Sequence, residues 1–144
     1  MRDVLREEKK FLLNQAEALG LRAYLATVLH PDKHNGADGY PVRSLYFDSL
    51  YNRDFQEKED GIELRRKLRL RVYSPYADFA LFEMKQKQGP YQRKRSLQLS
   101  KQDAQALIAG DYSVLLKSGS DFGKECYGIM QTLTYRPKTI VEYD

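Results

Sequence analysis

Residues 63–73, ELRRKLRLRVY, decide how the chain is read. A period of two puts Arg65, Lys67, Arg69, Arg71 and Tyr73 on one side and Leu68, Leu70 and Val72 on the other. Wound into a helix, the same residues would scatter their charges around the axis. The stretch therefore reads as a strand with one cationic face. Downstream, SPYAD makes a turn into FALFEMKQK, where Leu81, Glu83, Lys85 and Lys87 lie opposite Ala80, Phe82 and Met84, so a hairpin sets two charged faces side by side. Gln88-Gly89-Pro90 turns again into YQRKRSLQL, with Lys94, Ser96 and Gln98 on one face and Leu97 and Leu99 on the other.

Upstream, LREEKKFLL (5–13) alternates as a strand, Arg6, Glu8 and Lys10 against Leu5, Phe11 and Leu13. Asn14 and Glu17 make a capping-box pattern for a helix reaching about Leu29, with Ala16, Leu19, Ala23, Ala26 and Val28 as its apolar positions. HPDKHNGADGYP is loop, VRSLYFDS (42–49) is strand, and FQEKEDG (55–61) reads as a short strand closed by an Asp-Gly turn. Ser100 with Asp103 opens a helix stopped by Gly110, another runs from about Asp121 to Leu133, and TIVEYD begins a last strand. With no repeat or linker, the 144 residues read as one α+β domain, an antiparallel meander with inserted helices.

The formal charge of +4 conceals a concentration. Residues 65–95 carry ten Lys or Arg against Asp78 and Glu83, a local +8 that leaves the remainder at −4. Eleven Tyr and 42% hydrophobic residues exclude a disordered acidic tail. A single cysteine, Cys126, excludes an intrachain disulfide or a thiolate zinc site, fits a reducing, cytoplasmic setting, and reads as a packing thiol. No run approaches the roughly 18 to 20 apolar residues that span a bilayer.

If the sheet curls, the charged faces converge on a lumen whose Lys and Arg repel one another unless an anion sits between them. Forked guanidinium donors suit phosphate oxygens, so a nucleoside triphosphate or a polyphosphate chain has the matching charge density. Glu8 and Glu83 interrupt this field as divalent-cation ligands or as ion-pair partners of neighbouring lysines. No glycine-rich phosphate loop is present. His30 and His34 read as exposed loop residues, Asp48 and Asp60 as turn caps, and Tyr46, Phe47 and Phe82 as core.

Taken in order, RxExKF (6–11), RSLYFD (43–48), EKxDG (57–61), RxKxRxR (65–71), FExK (82–85), the Lys94 strand, LLxSG and LxYRPKTIVEYD resemble the VTC domain. That is the polyphosphate polymerase domain of the vacuolar transporter chaperone family, bacterial stand-alone type, within the triphosphate tunnel metalloenzyme (CYTH-like) superfamily. The resemblance implies an antiparallel β-tunnel, here a partial barrel with flanking helices, acting with Mn2+ or Mg2+ on ATP and inorganic polyphosphate. It implies phosphate contacts at Lys10, Lys58, Arg69, Arg71, Lys85 and Lys94, with Lys67 and Lys87 joining them by parity. Arg69, Arg71 and Lys85 are then the catalytic clamps, and Glu8 and Glu83 the metal positions. Family domains continue past the TIVEY strand, so this chain reads as the N-terminal portion of a tunnel that a second copy could complete. The reaction expected of the parent domain is transfer of a γ-phosphate to a polyphosphate chain, with triphosphate hydrolysis or non-catalytic polyanion binding as alternatives. No nucleic acid partner is expected.

Overall fold

The computed structural model describes residues 1–37 and 39–143; Asp38, in the expected loop, and Asp144, at the end of the expected last strand, lie outside them. Six strands, β1 (Arg2–Glu7), β2 (Val42–Asp48), β3 (Leu64–Val72), β4 (Phe79–Gln88), β5 (Tyr91–Ser100) and β6 (Arg136–Tyr143), form one antiparallel sheet. Their order is β1-β5-β4-β3-β2-β6. The edge strands β1 and β6 are not paired to each other, so the sheet is a partial barrel rather than a closed one. Four helices, α1 (Gln15–Val28), α2 (Arg53–Glu59), α3 (Lys101–Ile108) and α4 (Asp121–Thr132), complete the α+β fold, with a 3₁₀ turn at Tyr112–Leu116.

Alternation along the strands sorts the two faces. Phe47, Leu68, Leu70, Phe82, Met84, Leu97 and Leu99 point to one side, where Leu107, Leu115, Phe122, Cys126 and Met130 of the helical layer cover them. This is the core, and burial pushes the Cys126 thiol up to about 12, so the cysteine packs rather than reacts. Ser100 caps α3 by accepting from the Asp103 amide at 3.1 Å, and Ser120 caps α4 by accepting from Gly123 at 3.0 Å. Among the described residues no helix is long and apolar enough to cross a membrane.

Four expectations are corrected. The first strand ends at Glu7 instead of continuing to residue 13, because Glu7 pairs with Tyr91, the first residue of β5, and no partner backbone remains beyond it. Lys10 is therefore off the sheet. FQEKEDG is helix, not strand. Gly61 adopts φ 68°, and the Gly61 and Ile62 amides return to the Lys58 and Glu57 carbonyls at 3.1 and 3.0 Å, so the Asp-Gly pair ends a helix instead of joining two strands. The helix expected at 14–29 forms with its capping box intact, but none of its residues is buried. Tyr46 leaves the core for the opposite face, described next.

Candidate anion-binding site

The face turned away from the core carries the charge. Cross-strand register places Lys67 beside Lys85 and Lys85 beside Lys94, one lysine on each of three neighbouring strands. The next row holds Tyr46, Arg69, Glu83 and Ser96, and the row beyond it Ser44, Arg71, Leu81 and Gln98. Seven of the ten cations between residues 65 and 95 share this parity. Arg66, Arg93 and Arg95 point to the helical side, where each meets an acid: Asp54, Asp3 and Glu125 respectively.

Arg69 is buried and held on two sides. Its Nε donates to Glu83 Oε2 at 2.6 Å, Nη2 lies 2.6 Å from the same oxygen in an ion pair, and Nη1 donates to the Tyr46 hydroxyl at 3.3 Å. Glu83 has no solvent exposure; its second oxygen accepts no hydrogen bond and has Lys94 Nζ 3.6 Å away. Arg71 donates to Ser44 Oγ at 3.0 Å and to the Tyr143 hydroxyl at 2.8 Å, leaving part of its fork for a ligand. Glu8 lies between Lys10 at 3.6 Å and Lys85 at 3.9 Å.

The electrostatics follow from this crowding. Burial alone would raise the Tyr46 phenol, but the Arg69 hydrogen bond and the charges of Arg69, Arg71 and Lys67 hold it below its ordinary value. Lys67 is depressed by burial, opposed by Tyr46 and reinforced by the charges of Lys58, Arg65 and Lys10. Burial also depresses Lys85, with Glu8 opposing and Arg69 and Lys10 adding to the fall. A bound anion would supply the countercharge that Lys67 lacks and add to the one Glu8 gives Lys85.

Not every expected residue joins this centre. Lys67, Arg69, Arg71, Lys85 and Lys94 converge, with Glu8 and Glu83 among them. Lys10 is highly exposed, and Lys87 lies at the far end of β4, beside Arg65. Lys58 arrives on α2 and lines a cavity of about 560 Å3 with Tyr46, Asp48, Asp54, Lys67 and Lys138. Sequence reading missed Ser44 and Tyr46, whose parity in VRSLYFD already separates them from Phe47. It also passed over Lys138, which sits in the quoted RPK motif without any periodic signal.

Glu8 and Glu83, the expected metal positions, are both ion-paired in this structure. Glu83 is buried between two cations, Glu8 is shared by two lysines, and among the described residues no three His, Cys, Asp or Glu side chains gather. The donor set at Glu83 is that of an ion pair, so no step below runs through a metal.

The family model described as the VTC domain matches residues 5–144. Among solved structures, a Bacillus halodurans protein described as a candidate adenylate cyclase is similar at 15% identity and a TM-score of 0.48, over 97% of this chain and 62% of that one. The chain thus spans less than two thirds of that neighbour's length. No curated protein matches the chain.

Proposed function

The chain belongs to the VTC domain family, and on that premise we propose that its basic face binds the phosphates of ATP and of inorganic polyphosphate for transfer of the γ-phosphoryl group to the chain end. The observation that carries this reading is the row Lys67, Lys85, Lys94. Like charges directly opposite one another destabilise a sheet, and Glu8 and Glu83 offset this row only in part, so an anion across it is favoured. In the transfer, a terminal polyphosphate oxygen attacks the γ-phosphorus, the bond to the β–γ bridging oxygen breaks, and the nucleoside diphosphate leaves. No protein nucleophile is needed. The protein's share is alignment and stabilisation of charge on the transferring group, tasks suited to Arg69, Arg71 and Lys85.

Glu83 gives that machinery its geometry by fixing the Arg69 fork. For this reason Arg69→Ala is a poor first test, since it strands a buried carboxylate. Arg71→Ala combined with Lys85→Gln removes two ligand-facing cations with less damage to the fold. Tripolyphosphate affinity, measured by calorimetry, should fall at least about tenfold, with an unchanged circular dichroism spectrum; undiminished affinity would overturn the assignment. A binding-only role is the second reading, favoured by Glu8 and Glu83 both being paired with cations. Incubation with ATP separates the two: polymer on a gel supports transfer, and binding without turnover supports the module.

A further inference from the structure

The one buried residue of α2 is an aspartate. Short helices ordinarily dock through apolar side chains, yet here Phe55 is 57% exposed and Asp54 only 4%. Asp54 Oδ2 accepts from the Tyr135 hydroxyl at 2.6 Å, and that hydroxyl in turn accepts from Arg66 Nε at 3.3 Å. Asp54 Oδ1 accepts no hydrogen bond and has Arg66 3.6 Å away. Tyr135 is itself held from several directions. Its amide donates to the Met130 carbonyl at 2.9 Å, its carbonyl accepts the Tyr112 hydroxyl, and it follows Thr134, whose φ of 53° is a conformation β-branched residues avoid. The helical layer thus fixes Tyr135, Tyr135 fixes Asp54, and Asp54 fixes α2 across the ends of β2 and β3.

That placement matters for the 560 Å3 cavity, because α2 delivers Lys58 to it. The two acids in its lining are turned elsewhere. Asp48 accepts from the Ser49, Asp54 and Phe55 amides at 2.7, 2.9 and 2.9 Å, capping α2, and Asp54 serves Tyr135 and Arg66. The lysines are left with little countercharge: Lys67 and Lys138 make no ion pair among the described residues, and Lys58 has only Glu59 at 3.4 Å.

We propose that Lys58, Lys67 and Lys138 form a phosphate-binding pocket flanking the basic face, and that Asp54 and Tyr135 are its positioning residues, locking α2 so that Lys58 closes it. The proposal rests on the polyphosphate reading above, shares Lys67 and the expected contact Lys58 with it, and adds Lys138 and the Asp54–Tyr135 lock. Its ligand is one end of an inorganic polyphosphate, and tripolyphosphate is the probe.

The test is a double-mutant cycle read by calorimetry at fixed pH and salt. Lys58→Gln and Lys138→Gln should each weaken tripolyphosphate binding about threefold to tenfold, as truncating one charge of a multi-point anion site does. Lys138→Gln doubles as the variant least able to disturb folding, since Lys138 makes no ion pair or side-chain hydrogen bond among the described residues. Tyr135→Phe should weaken binding about threefold when Lys58 is present and have no further effect in a Lys58→Gln background. Amide exchange across residues 53–59 should quicken in Tyr135→Phe. Lysine variants that bind like wild type, or a Tyr135→Phe loss that is the same with and without Lys58, would overturn the proposal while Arg71→Ala still weakened binding. A wild-type chain without affinity for tripolyphosphate would instead overturn the underlying reading and the pocket with it.

Discussion

Arg69 and Glu83 show how a charged strand residue comes to be buried. Each is costly to desolvate alone, and the hydrogen-bonded ion pair at 2.6 Å offsets that cost only while both remain. Glu83→Gln leaves Arg69 and Lys94 facing each other without a countercharge. It should cost about 3 kcal/mol or more in urea unfolding, and saturating tripolyphosphate should restore part of the loss by replacing the missing anion. Asp54 makes the opposite case. Burial raises it from 3.8 to about 6, against the pull of Tyr135 and Arg66 and with help from Asp48 and Glu57. Because the folded value exceeds the unfolded one, its contribution is full below about 3.8, fades as pH rises toward 6, and is absent above. The swing is at most about 3 kcal/mol. Subtracting the stability profile of Asp54→Asn from that of wild type should show this slope between pH 4 and 6, and a flat difference would refute it. Of these two residues, Glu83 was visible in the sequence as an interruption of a basic face. Asp54 was not, because its partners lie 12 and 81 positions away along the chain.

Elements reveal where local signals held and where they misled. Ser100 and Ser120 cap their helices, and the Asn14 capping box forms even on α1, which buries nothing. Capping is local chemistry and needs no tertiary support. The link between β2 and β3 reads wrongly because an Asp-Gly pair suits a hairpin and a helix C-terminus alike; docking by Asp54 and capping by Asp48 favour the helix. On the opposite side, α4 packs so closely on the 3₁₀ turn that a Cβ at Gly123 would overlap the Leu115 carbonyl oxygen. Gly123→Ala should therefore destabilise by about 3 kcal/mol or more in thermal or urea unfolding. Gly61→Ala, with open space around it and only φ 68° against it, should cost about 1 kcal/mol.

At the scale of the whole molecule, the sheet separates charge from core. Tripolyphosphate binding should weaken steeply between low and physiological salt, as exposed charges are screened over about 8 to 10 Å. It should also persist in the presence of a chelator, since the site's carboxylates are already matched by cations; complete loss of binding on chelation would contradict that account. The alternating sequence by itself determined which residues face together, because side-chain direction in a strand repeats every two positions whatever the surroundings. It also determined the caps at Asn14 and Ser100 and the helical cover over Leu68, Phe82 and Leu97. Only the tertiary structure decided that β1 stops where β5 begins, that three of the ten clustered cations leave the basic face to meet acids of their own, and that Lys58 of α2 lines one cavity with Lys138. Those outcomes depend on pairings between residues far apart in the chain, and periodicity carries no record of distance in space.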